Sequence, residues 1–151
     1  MDLTGTAALV TGGGGLIGSH LAGHLQDEHV ADVRVADDFS KGERGRIPDG
    51  VDVIEADLTD EAETRAAVTD DLDVVFHLAA YTDTNFDDDR TLFEENTEMT
   101  YNVLEAMANA GVTNLAFTSS STVYGEALRP TPEDYAPLEP ISIYGSSKLA
   151  D

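Results

Sequence analysis

Tyr144 and Lys148 stand four residues apart in Y-G-S-S-K, and lysine occurs only twice in the 151 residues of this chain. On a helix, positions i and i+4 share a face, so an ammonium there can approach a phenol. A phenol with an ordinary pKa near ~10 is a poor base at neutral pH. A positive charge about 4 Å away is worth roughly 4 kcal/mol at an effective dielectric of 20, which lowers the phenol by about 3 units at most. Ser120 lies in T-S-S-S-T-V-Y-G (Thr118 to Gly125), where a serine hydroxyl held beside the tyrosine orients a substrate hydroxyl and shares its proton. Ser120, Tyr144 and Lys148 together suit removal of a proton from an alcohol. A bare Y-x-x-x-K is usually a solvated helix pair. The serine cluster and a glycine turn far upstream argue otherwise here.

That turn is T-G-G-G-G-L-I-G-S-H-L (Thr11 to Leu21), with Gly12, Gly15 and Gly18 spaced G-x-x-G-x-x-G between a strand-like and a helix-like run. Such a turn lets backbone N–H groups approach a pyrophosphate closely and aims a helix N-terminus at it. Asp37 closes the second strand-like run, 19 residues after Gly18. That is near the offset at which a carboxylate meets the adenosine ribose hydroxyls. A carboxylate there repels a 2′-phosphate, so NAD is expected rather than NADP. Asp38 shares the position, and Arg34 lies inside the strand, poorly placed to hold a phosphate.

Several elements must position these residues. Thr6–Val10, Val33–Ala36, Val51–Ile54, Val74–Leu78 and Asn114–Thr118 read as strands. Helices are expected from Leu16 to about Gln26, from about Asp60 to Thr69, from Leu92 to Ala110 and from near Ser142 onward. The first carries Leu16, Ile17, Leu21 and Leu25 at helical spacing. The third carries Leu92, Phe93, Met99, Val103, Leu104 and Met107, is preceded by Asp87, Asp88 and Asp89, and is stopped by Gly111. The stretch holding Pro130, Pro132, Pro137 and Pro140 must be loop. Strands separated by helical segments predict an α/β fold, a doubly wound parallel sheet of about five strands in one domain.

Thirty acidic against 8 basic residues give a net charge of −22. Such a surface repels nucleic acid and anionic membrane, excluding both as partners. Crowded carboxylates repel less where the screening length shrinks to about 3 Å, at roughly 1 M salt. The chain is therefore expected to need salt, as in a salt-rich cytoplasm. No cysteine is present, so there is no disulfide framework and no thiolate metal site. His20 and His24 sit at i and i+4 but lack a third ligand nearby, so no metal is expected. His77, ending a strand, is expected to be a packed histidine. With no leader and no apolar run long enough to span a bilayer, a cytoplasmic location is expected.

Taken together, these motifs resemble those of the extended short-chain dehydrogenase/reductase family, in particular its nucleotide-sugar epimerases. The resemblance rests on the glycine turn, Asp37-Asp38, Asp57-Leu58, H-L-A-A (His77 to Ala80), Asn96, S-S-S-T-V-Y-G and Y-G-S-S-K. It implies a Rossmann-like domain over residues 1–151 that ends inside the helix carrying Tyr144, with the C-terminal substrate subdomain absent. It implies NAD lying along Gly12, Gly15, Leu16, Ile17 and Gly18, its ribose at Asp37 and Asp38, and its adenine beside Asp57 and Leu58. The nicotinamide half would pass Leu78, Ala79 and Ala80, with Lys148 on its ribose and Tyr144 as base. The implied activity is epimerisation at C4 of a nucleotide sugar such as UDP-glucose or UDP-galactose, within a possible homodimer. Dehydratases of this family carry an acidic pair where this chain has Ser121 and Thr122, a departure that favours epimerase. An NAD-binding module without turnover, and a reductase or dehydratase acting on another hydroxyl substrate, are the alternatives.

Overall fold

The computed structural model describes residues 3–28, 32–82 and 89–151. Five parallel strands form one sheet in the order β3-β2-β1-β4-β5. They are β1 (Ala7–Thr11), β2 (Asp32–Asp37), β3 (Asp52–Glu55), β4 (Val74–His77) and β5 (Asn114–Phe117). The helices are α1 (Leu16–Asp27), α2 (Glu61–Ala67), α3 (Asp89–Ala110) and α4 (Ile143–Ala150), with short 3-10 turns at Arg44–Arg46 and Ser121–Tyr124. Each expected element exists, displaced by a few residues at most. Asp87 and Asp88 lie outside the described residues, and Asp89 is the first residue of α3.

The alternation of side chains along β1 divides the core in two. Ala8 and Val10 point to one face, where Ala22 and Leu25 of α1 close over Val33, Val35, Val51 and Val74. Leu9 points to the other, against Val75 of β4 and Met99, Val103, Ala106 and Met107 of α3. Both faces of the central strands β2, β1 and β4 are thus covered, which suits strands that are apolar throughout. The strand order reverses between β1 and β4, and ligands of such sheets bind beyond the strand C-termini at that reversal.

Three details differ from the periodic reading. Leu104 is 44% exposed on the outer side of α3, outside the buried stripe. On α2 the inward residues are Thr64 and Ala67, followed by the buried Val68, whereas Ala62 and Ala66, which with Val68 offered the apolar support expected of this helix, are exposed. Leu16 and Ile17 are 65% and 66% exposed because they open α1 beside a cleft rather than packing beneath it. At the sheet's edge, β5 leaves Leu115 38% exposed.

Candidate functional site

Beyond the C-terminal ends of β1, β2, β3 and β4 lies a cavity of about 380 Å³. Its wall includes Gly12, Gly15, Leu16, Ile17, Gly18, Asp37, Asp38, Asp57, Leu58, Leu78, Ala79 and Ala80. All the residues expected to hold the cofactor, other than Tyr144 and Lys148, therefore share one wall. Ala36, Ser40, Lys41, Gly42, Ala56, Tyr81, Thr82, Met99 and Thr118 complete it; sequence reasoning did not assign these to the cofactor. Ser40, Lys41 and Gly42 belong to the turn that must follow a strand ending in Asp37-Asp38, and that position was their only signal.

Backbone geometry explains the glycines. Gly12 has φ of 66°, and a Cβ there would meet the Ala79 backbone at 2.8 Å. A Cβ on Gly18 would lie 2.3 Å from the Gly12 carbonyl oxygen. The turn after β1 thus presses against both the loop after β4 and its own helix, leaving no room for a side chain. Helix α1 starts at Gly15 with no side-chain cap and no acidic residue in its first turn. By contrast, Asp60 caps α2 and Ser142 caps α4. In a chain with 30 acidic residues, that uncapped N-terminus leaves amides and a positive dipole end open to an anion in the cleft.

Asp37 is buried, and its carboxylate accepts from Gly14 N at 2.8 Å and from Phe39 N at 2.8 Å. The glycine turn and the loop after β2 are fastened together through it. Asp38 forms a tight turn, accepting from Ser40 N at 3.0 Å and Ser40 Oγ at 2.9 Å. Burial, with the negative charges of Asp57 and Asp38, raises the Glu95 carboxyl above its usual range. Burial and the same carboxylates raise the Tyr81 phenol. Carboxylates thus outnumber the one lysine, Lys41, at this end of the cleft. Arg34 does not relieve it: the guanidinium is paired with Asp32 and Asp71 and donates to Thr69 Oγ1 at 3.0 Å.

The lip after β4 hangs on buried polar side chains. Thr11 Oγ1 accepts from Leu78 N at 3.1 Å and Ala79 N at 3.2 Å. Its own hydrogen then donates to His77 Nδ1 at 2.7 Å. This fixes His77 as the Nε2–H tautomer, donating to Thr100 Oγ1 at 3.2 Å. Burial, with the nearby Lys148 charge, pushes His77 down to about 4, so the ring is neutral and packed, as expected. Asn96 is 1% exposed. It accepts from Tyr81 N at 2.8 Å, and its amide donates to Tyr81 O and Ser147 Oγ, each at 3.1 Å. One residue of α3 therefore ties the loop after β4 to α4.

Of the three residues expected to carry chemistry, two meet. Ser120 Oγ accepts from Thr122 N at 3.2 Å and Thr122 Oγ1 at 2.9 Å. Its own hydrogen is left available to the Tyr144 phenol, on which Ser120 acts. Gly145 permits this approach, since a Cβ there would meet Thr122 O at 2.9 Å and Pro140 at 3.0 Å. Burial raises the Tyr144 phenol, and the hydrogen bond from Ser120 opposes that rise. Lys148 departs from expectation. Its ammonium is buried, donates to Asp151 Oδ2 at 3.1 Å and sits 4.7 Å above the Phe117 ring. The phenol is therefore raised by burial rather than lowered by the lysine. None of Ser120, Tyr144 and Lys148 belongs to the wall of the cavity, which stops at Thr118.

Comparison with known proteins fits this arrangement. The UDP-glucose 4-epimerase of Corynebacterium glutamicum is 35% identical over 145 residues, covering 94% of this chain and 43% of that protein. The crystal structure of Thermus thermophilus UDP-glucose 4-epimerase in complex with NAD superposes with a TM-score of 0.88 at 34% identity, over 95% of this chain and 48% of that one. Stenotrophomonas maltophila UDP-glucose-4-epimerase, solved with bound NAD and formylated UDP-arabinopyranose, superposes with a TM-score of 0.86 at 29% identity, over 96% and 46%. The chain thus spans less than half the length of these relatives. Residues 8–150 match a single family over nearly their whole extent, and the chain belongs to the NAD dependent epimerase/dehydratase family.

Proposed function

We propose that this chain is the NAD-holding and proton-transferring part of a nucleotide-sugar 4-epimerase acting on a UDP-hexose of the glucose/galactose type. What carries the reading is the uncapped α1 N-terminus and Asp37 on one cleft wall, with Ser120, two residues past Thr118 where that wall stops, acting on the Tyr144 phenol. The residues present fit a dinucleotide: glycines where a Cβ cannot go, open helix amides for a pyrophosphate, and a carboxylate for ribose hydroxyls.

NAD, when bound, supplies a reversible hydride acceptor for C4 of the sugar. Tyr144 takes the proton of the C4 hydroxyl and returns it once the sugar has turned over. Ser120 donates to the tyrosine oxygen and so favours the phenolate. Thr122 occupies both acceptor positions of Ser120 and fixes that direction. Lys148 would hold the nicotinamide ribose on exchanging its Asp151 partner for the ribose hydroxyls. At the other end, Asp37 and Asp38 hold the adenosine ribose, while Asp57 and Leu58 flank the adenine. Ser121 and Thr122 offer no carboxylate for water elimination. The dimer, the cytoplasmic location and adaptation to salt belong to the same proposal.

One observation favours a second reading, an NAD-binding module without turnover: the Lys148 ammonium is engaged by Asp151 instead of Tyr144. Incubation with NAD and UDP-galactose in molar KCl separates the two. Formation of UDP-glucose without accumulation of NADH supports the epimerase. NAD binding with no conversion selects the module.

A further inference from the structure

We infer that Asn102 on α3 is a positioning residue for the adenosine end of the cleft, an inference that rests on the cleft being a dinucleotide site. Asn102 is 4% exposed and touches the cleft only through another segment. Its Nδ2 donates to the carbonyls of Leu58 and Thr59, each at 3.0 Å. Those carbonyls belong to the segment Ala56–Thr59 that leaves β3, of which Ala56, Asp57 and Leu58 form cleft wall.

Ala56 N donates to Asp37 O at 3.2 Å and ties the start of the segment to β2, and the rest is otherwise held from its own side. Asp57 N donates to Glu63 Oε2 at 2.7 Å, Asp57 Oδ1 accepts from Thr59 Oγ1 at 2.7 Å, and Thr64 Oγ1 donates to Leu58 O at 3.1 Å. These bonds shape the segment, its β3 end and its junction with α2, and none of them ties Leu58 or Thr59 to α3. Asn102 supplies that tie. It spans to α3, whose Met99, one turn earlier, also faces the cleft. One amide bonded to two successive carbonyls fixes both height and tilt of the wall. An apolar residue of similar size keeps the packing and loses both bonds. A carboxylate places an acceptor against two acceptors.

The test is to titrate adenosine and nicotinamide mononucleotide separately into wild type, Asn102→Leu and Asn102→Asp, followed by ligand-observed NMR in molar KCl. Circular dichroism serves as the folding check, and either folded variant suffices. Adenosine affinity is expected to fall about tenfold, with nicotinamide mononucleotide affinity unchanged. A merely structural role would weaken both ligands together or neither, and either pattern overturns the inference. Wild type that binds neither ligand overturns the reading of the cleft itself, whereas wild type and variants binding adenosine equally overturn only the role of Asn102.

Discussion

The Thr11 hydroxyl donates to His77 Nδ1 across 2.7 Å, a side-chain bond added to the ladder between the strand ahead of the glycine turn and the strand that supplies the opposite lip. Thr11 can donate only because both of its acceptor positions are filled by the amides of Leu78 and Ala79. His77 must therefore stay neutral at Nδ1, and acid attacks the cleft at this point.

The sign follows from linkage. His77 is pushed down to about 4 in the fold, below the ~6.5 of an unfolded chain, so the unfolded state binds more protons between those values. Stability is expected to fall as pH drops from about 6.5, losing about 3 kcal/mol through this group once below about 4. Urea unfolding of wild type and His77→Gln from pH 7.5 to 4 measures it. The wild-type curve should fall more steeply by that amount, and parallel curves would count against the buried neutral histidine.

At Gly18 an added methyl group meets the Gly12 carbonyl and the Gly13 backbone, neither of which can swing aside. Gly18→Ala is expected to cost about 1–3 kcal/mol and to remove NAD binding. Thermal melting and calorimetric titration give the two numbers; normal NAD affinity in the variant would mean that the turn is not the pyrophosphate cradle.

Asp37 should set the choice between dinucleotides. Asp37→Ser relieves repulsion of a 2′-phosphate and loosens the loop held through Phe39 N. NAD affinity is expected to drop by roughly tenfold, the scale of a lost hydrogen bond to a charged group, while NADP affinity rises or holds. A parallel loss for both cofactors would assign Asp37 to loop structure alone.

Tyr144 can be followed without turnover. Its phenol titrates as phenolate absorbance, isolated by subtracting Tyr144→Phe. Burial raises it and Ser120 lowers it, so Ser120→Ala should move the phenol to still higher pH. An unchanged titration would break the link between the two hydroxyls.

Fold and site were legible to different depths. Glycine spacing, the apolar strands and Asp37 are local signals, and each located its element and its place on the cleft wall. The Tyr144–Lys148 spacing correctly put both residues on one helix. It could not show where a flexible ammonium would point, because Asp151 and Phe117 compete for it in three dimensions. Asn102 and Thr11 carried no local signal at all, since their roles depend on carbonyls and amides distant in sequence. Leu104 misled for a related reason: a helical period marks a stripe but not which edge of that stripe the sheet covers.

The net charge of −22 makes a separate expectation. Carboxylate repulsion is screened over about 3 Å at roughly 1 M salt and about 30 Å at 0.01 M, so the melting temperature should rise from dilute buffer to molar KCl. An unchanged melting temperature would remove the argument for salt adaptation.

All of these expectations meet at the cleft between the glycine turn and Asp37, and calorimetric titration of the folded chain with NAD in molar KCl probes it most directly. Saturable binding of one NAD per chain, abolished in Gly18→Ala, is the predicted result. A folded protein that takes up no NAD would contradict the account at its root.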